Sequence, residues 1–136
     1  MVGILLATHA DLGAEFIQTT NLLYGKVEGI EAVGLHHGDD IDALCEKIKA
    51  GIERLDTGDG VLVFVDLLGG SPSNMTLKAM MELHDAHEIR AIAGVNLPML
   101  VESIVARTTE GLDRLVENAL GVAGESVVDL GKKFGL

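Results

Sequence analysis

Short, densely apolar runs alternate along the chain with longer stretches whose apolar residues recur at helical spacing. "VGILLA" (2–7), "EAVGL" (31–35), "GVLVFVD" (60–66) and "IRAIAG" (89–94) have strand length and aliphatic content. That is the pattern of strands covered on both faces. Between them, "DLGAEFIQTTNLLYG" puts Leu12, Phe16, Thr19 or Thr20 and Leu23 at helical spacing, with Gly25 as the stop. "DDIDALCEKIKAGIERL" (39–55) lines up Ile41, Leu44, Cys45, Ile48, Ile52 and Leu55 on one stripe behind an Asp39 or Asp40 cap. "SPSNMTLKAMMELHDAH" (71–87) predicts a helix capped by Ser71, with Pro72 in the first helical position. "PMLVESIVAR" and "EGLDRLVENALGVAG" predict two more helices, and "SVVDL" (126–130) a last short strand.

Strand–helix alternation of this kind specifies a doubly wound α/β fold with a mostly parallel sheet. Such sheets bind ligands at the carboxyl edge, where the strand order reverses. In the flavodoxin-like order 2-1-3-4, strands 1 and 3 flank that point. The first strand stops at Thr8-His9 and the third at Asp66, so a histidine and an aspartate are brought to one edge.

The chain has 136 residues, one domain's length, and we expect a single domain over 1–136. Aromatics are few (Phe16, Tyr24, Phe64, Phe134, no Trp), so aliphatic packing must dominate the core. A formal net charge of −11 argues against nucleic-acid or anionic-membrane binding. It leaves room for one phosphoryl group held by backbone amides and helix N-termini. The single cysteine, Cys45, forbids an intrachain disulfide and suits a reducing compartment. No apolar run approaches the ~20 residues of a membrane span, and a cytoplasmic protein is expected.

Asp66 at the third strand's end could orient the His9 imidazole and raise the basicity of its other nitrogen. Gly69 and Gly70 could bring backbone N–H groups close to a ligand, and Ser71 adds a hydroxyl. The helix N-termini after His9 and after Gly70 present their positive ends. Together these suit a histidine that accepts a phosphoryl group, a transfer that needs positioning and charge stabilisation above all. Each feature has a plainer reading: a strand-end histidine often only caps or fills, and "GGSP" is also an ordinary turn before a helix. His84 and His87 have i, i+3 spacing and could ligate a metal with Asp85, but a helix C-terminus favours solvated imidazoles there. His36-His37 read as a solvated turn and Cys45 as a core residue. "GGSPS" lacks the second glycine of a nucleophile elbow, and no P-loop is present.

"ILLATHADLG", "GVLVFVDLLGGSPSN" and "IAGVNLPMLVE" together resemble the IIA domains of the mannose family of the bacterial phosphoenolpyruvate-dependent sugar phosphotransferase system. The resemblance runs through essentially the whole chain. It implies that His9 is phosphorylated by HPr and hands the group to a IIB component. It also implies that Asp66 orients His9, that Ser71 lies against the phosphoryl group with Gly69 and Gly70, and that the Gly94–Glu102 segment supports the site. Membrane IIC and IID components are indirect partners, and no metal or organic cofactor is needed. A homodimer is implied in which the final strand crosses antiparallel onto the partner's sheet, "SVVDL" being its counterpart. Leu67 and Leu68 lie where the family varies and are expected to form an apolar docking collar. His36, His37, His84 and His87 receive no role. The competing readings are a regulatory or binding module that uses phosphohistidine as a signal, and a structural domain with an inert His9.

Overall fold

A computed structural model describes Met1–Leu136. Four parallel strands, β1 (Gly3–His9), β2 (Ile30–Leu35), β3 (Val61–Val65) and β4 (Ile89–Ala93), form one sheet in the order β2-β1-β3-β4. The helices α1 (Leu12–Tyr24), α2 (Ile41–Leu55), α3 (Ser71–Leu83), α4 (Leu97–Ala106) and α5 (Leu112–Glu125) follow the predicted alternation.

The two central strands are apolar at nearly every position because both of their faces are covered. Side-chain alternation divides them between two cores. Ile4 and Leu6 of β1 with Leu62 and Phe64 of β3 pack under α1, α4 and α5, joined by Met99, Leu100 and Leu115. Leu5 and Ala7 with Val61, Val63 and Val65 pack under α2 and α3, against Ile48, Ile52 and Ala79. Cys45 is buried in this second core. The edge strands β2 and β4 are only partly buried.

The predicted stop of α1 and cap of α2 are both observed. Gly25 ends α1 at φ +76°, and Asp40 caps α2 by accepting from the Asp42 N–H at 3.1 Å. Asn96 caps α4, accepting from the Met99 N–H at 3.0 Å.

Three expectations change. The cap of α3 is Gly70, in extended conformation, so Ser71 is the first helical residue and Pro72 the second. That helix ends at Leu83, four residues before His87, because His87 turns back to bond another loop. The predicted strand at 126–130 does not form in the single chain. Ser126 ends α5, Val127–Asp129 carry no regular structure, and Leu130–Lys133 form a short helix, α6, whose cap Asp129 accepts from the Lys132 N–H. A strand needs an edge to pair with, and this segment lies against none in its own chain.

At the opposite, amino edge, the buried Arg107 at the end of α4 donates to the backbone carbonyls of Val2, Glu28 and Gly29. It thereby ties the starts of β1 and β2 to α4. No helix is long and apolar enough to cross a membrane.

Candidate functional site

β1 and β3 are adjacent, with Ala7 opposite Val65, so the residues that follow both strands emerge side by side. His9 and Asp66 meet there as the sequence predicts. The His9 Nδ1 lies 2.8 Å from the Asp66 Oδ2, and the His9 backbone N–H donates to the same oxygen at 2.9 Å. Oδ1 accepts from the Leu67 N–H at 3.0 Å. The Asp66 side chain is 9% exposed and that of His9 44% exposed. Burial pushes the Asp66 carboxyl up, but the backbone and ring hydrogen bonds from His9 outweigh it and hold the group below the ordinary carboxylate value. A carboxylate facing Nδ1 fixes the tautomer with the proton on Nδ1, which leaves the Nε2 lone pair free.

The paired glycines have different reasons to be glycine. Gly69 sits at φ +86° with open space where a Cβ would be, so its backbone conformation is what excludes other residues. Gly70 has an ordinary φ of −82°. A Cβ there would lie 2.8 Å from the His9 Cε1 and 3.3 Å from Nε2. Gly70 therefore lets the turn backbone come up against the edge of the imidazole that carries the free nitrogen. Ser71 follows at the N-terminus of α3, partly exposed and released from capping. The first turn of α3 carries no acidic residue.

Leu67 and Leu68 are 51% and 82% exposed. Leu68 also lines an apolar hollow of about 230 Å³ with Val65, Thr76, Leu77, Ala91 and Ala93, beside the free edge of β4. The segment after β4 bonds to the end of β3, the Gly94 and Val95 N–H groups both donating to the Val65 carbonyl. The chain preceding Asp66 is thus held from the β4 side.

Sequence reasoning missed the turn that follows His9. Ala10 has φ +47°, the one non-glycine residue in the left-handed region, where a side chain costs about 1–2 kcal/mol. Its N–H donates to the Leu35 carbonyl at 2.8 Å. Its own carbonyl oxygen occupies the space over Gly34, 2.1 Å from where a Cβ would stand. Thr8, fully buried, accepts from the Gly13 N–H of α1 at 2.8 Å. A glycine inside the short strand "EAVGL" was the available signal, since such a glycine marks a close backbone approach.

The remaining histidines separate. His36 is solvent-exposed at the turn after β2, as the sequence predicts, with its Nε2 2.7 Å from the equally exposed Asp11 Oδ1. His87 is not a solvated helix end: its side chain is 21% exposed, and Nδ1 lies 2.7 Å from the Asp56 Oδ2. His84 faces Asp85 at 3.2 Å. His84 and His87 thus go to different partners, and no three potential metal ligands converge.

The family model described as PTS system fructose IIA component, EIIA-man, matches residues 3–120. The chain belongs to the mannose-type IIA family of the phosphotransferase system. Among relatives, this IIA chain is 35% identical over 133 residues to the mannose-specific EIIAB component of Escherichia coli K12, covering 97% of this chain and 40% of that protein. The chain therefore spans less than half the length of that relative. It is 26% identical over 131 residues to the sorbose-specific EIIA component of Lacticaseibacillus casei, covering 96% of this chain and 92% of that one. In structure it is similar to phosphotransferase system component EIIA from Streptococcus agalactiae, with a TM-score of 0.83 at 26% identity, covering 97% and 99% of the two chains.

Proposed function

We propose that this IIA chain is a phosphoryl carrier of a sugar phosphotransferase system, loaded at His9 by phospho-HPr and unloaded by a IIB component. One observation carries the proposal: the imidazole is held through Nδ1 by a buried carboxylate while its Nε2 edge stays open beside Gly70. The Nε2 lone pair attacks phosphorus in line, the N–P bond of the donor breaks, and the donor's imidazole leaves with the electron pair. The new Nε2–P bond leaves His9 as a phosphorylated imidazolium with its proton on Nδ1. The Asp66 carboxylate, held below its ordinary value by the hydrogen bonds from His9 against the effect of burial, stabilises that positive charge. Backbone amides around Gly69 to Ser71 and the Ser71 hydroxyl face the transferred oxygens. The chain's own residues supply every group this step uses.

The apolar surface of Leu67 and Leu68 serves as the collar on which HPr and IIB dock, and membrane components are engaged through IIB. Membership of the family supports these partners. A homodimer is part of the same proposal. It is supported by the unpaired edge of β4, where Ala91 and Ala93 are exposed, and by the exposed Val127, Leu130, Phe134 and Leu136 of the tail. The whole of residues 1–136 acts as one carrier unit in this reading.

Incubation with phosphoenolpyruvate, enzyme I and HPr tests the assignment. Acid-labile, base-stable phosphate should appear on the wild type and be lost in His9→Ala. An unlabelled wild type, or equal labelling of His9→Ala, ends the proposal.

A further inference from the structure

The sheet has a second free edge, on the side away from β4. β2 is bonded to β1 alone. The Ile4 N–H donates to the Gly29 carbonyl and the Ala10 N–H to the Leu35 carbonyl. Backbone groups alternate in direction along a strand, so Gly29, Glu31, Val33 and Leu35 bond inward while Ile30, Ala32 and Gly34 face outward. Nothing in the chain bonds to the N–H or carbonyl of Ala32 or Gly34 on that outer side, and both residues are partly exposed. Such a row of unpaired groups is a template for one more strand.

Ala32 and Gly34 also line a groove of about 390 Å³, whose far wall is Lys47, Ala50 and Arg54 of α2. No carboxylate lines it. His36, the third basic residue there, faces Asp11 and Asp39, and Arg54 is paired with Glu31. The ion pairs of α2 engage Asp42, Glu46, Lys49 and Arg54 and leave the exposed Lys47 without a partner. Lys47 and Arg54 stand two turns apart on one face of the helix, about 10 Å along its axis. Side chains two and four residues apart on one face of a strand, about 7 and 13 Å, bracket that spacing. Lysines beside an edge can also serve only to discourage pairing, and that role would give the edge no preference for a docking segment's charge.

We propose that the free edge of β2 is an interaction surface for an extended acidic segment of another protein, which adds a strand there and sets carboxylates against Lys47 and Arg54. Main-chain bonds to Ala32 and Gly34 hold the segment, and the flanking cations select it. An acidic occupant fits despite the net charge of −11. Exposed charges beyond about 8 Å are screened at physiological salt, and the charged side chains within the groove are all basic. The site lies at the opposite edge from β4, so a second copy docked on β4 leaves it open. It goes beyond the carrier reading and does not rest on it.

The probe is a capped peptide of alternating threonine and glutamate, about six residues long as strands usually are. It is titrated into the full chain, labelled for amide NMR, at ~0.15 M salt. Amide shifts and slowed hydrogen exchange should centre on Ala32 and Gly34 and leave Ala91 and Ala93 of β4 unmoved. Lys47→Glu should weaken binding about five-fold, because an attraction between exposed charges becomes a repulsion, whereas Lys47→Arg should keep it. The matching threonine–lysine peptide should bind about five-fold more weakly or worse. N-methylation of every peptide amide, which removes the donors a strand needs, should abolish binding. No shifts at millimolar peptide, shifts at β4 instead, equal binding of the lysine peptide, or unchanged binding by Lys47→Glu would each overturn the inference. Concentration-dependent shifts at Ala32 and Gly34 without peptide would assign the edge to a second copy and overturn it too. No phosphoryl donor is present, so a failure of His9 to label leaves this result untouched.

Discussion

Gly70→Ala isolates the contact on which the orientation of His9 depends. The added methyl would stand 2.8 Å from the His9 Cε1, whereas carbon atoms rest at about 3.5–4.0 Å. The ring or the turn must therefore open by roughly 0.7 Å or more. The backbone at Gly70, φ −82° and ψ 172°, suits alanine, so the turn itself is not strained. Relief comes by swinging the half-exposed imidazole, which stretches the 2.8 Å bond to Asp66. Losing one such solvent-accessible bond costs about 1 kcal/mol, or roughly 3–5 °C in Tm for a chain of this size. The kinetic cost is larger, since displacing a reacting group by about 1 Å costs on the order of 10²-fold in rate.

The assay is single-turnover loading from phospho-HPr by rapid quench, beside a thermal melt. Gly69→Ala is the control. Its methyl meets nothing, but φ +86° charges it about 1–2 kcal/mol of backbone strain. Gly70→Ala should lose much rate and little stability, and Gly69→Ala should lose the larger share of stability. Near-wild-type loading by Gly70→Ala would show that the close approach does not set the ring's position.

Asp66→Asn should keep the fold and slow transfer by about 10–100-fold, the range found when the carboxylate orienting a metal-bound histidine is lost. Because the Asp66 carboxyl is depressed in the folded chain, its bonds stabilise fully above the ordinary carboxylate value and are lost as pH falls through the lowered one. Acid melts of Asp66→Asn should lack that component, and an unchanged acid limb would refute the linkage. Gly34→Ala should cost about 1–3 kcal/mol in denaturant melts, as overpacking does, because its methyl would strike the Ala10 carbonyl; an unchanged midpoint would mean the turn rests on other ties. Arg107→Lys should lower stability by about 2 kcal/mol or more, because an ammonium cannot serve the carbonyls of Val2, Glu28 and Gly29 at once. Phosphoryl loading should persist in that variant, and a loss of loading without a loss of stability would contradict a purely structural role.

The pattern of apolar runs carried the four strands and their alternation with helices, because two-sided burial of β1 and β3 leaves a strong compositional trace; the flavodoxin-like order then set His9 beside Asp66, since parallel strands end on one edge. What it did not carry were contacts made by backbone. The left-handed Ala10 over Gly34 has no side-chain signature, and "GGSP" does not say that one glycine serves φ and the next serves clearance. His87 was misplaced because helical spacing continues through "HDAH" although the helix stops at Leu83, where the tie to Asp56 prevails over local propensity. The tail misled for another reason. Residues 126–130 have strand composition, but composition cannot supply a pairing edge, and the single chain resolves them into coil and a short helix.

The surroundings of His9 also bear on how a chain of net charge −11 would hold the phosphoryl group of the proposed carrier reaction. No lysine or arginine is bonded to His9, Asp66 or Asp11; their side-chain partners are one another, His36 and backbone amides. A bidentate arginine would bind the group strongly, and equally strong binding of reactant and product does not speed a transfer. A carrier must release what it accepts, so fixed amides and one oriented carboxylate suit it better than a cation. The structural cost then falls on the backbone, which must bring those amides to the imidazole edge. It is met by the clearance at Gly70, the positive φ of Gly69 and the strained turn at Ala10. Position, rather than charge, is the resource this site is built from, which is why a single added methyl at Gly70 is expected to cost as much as the loss of the Asp66 carboxylate.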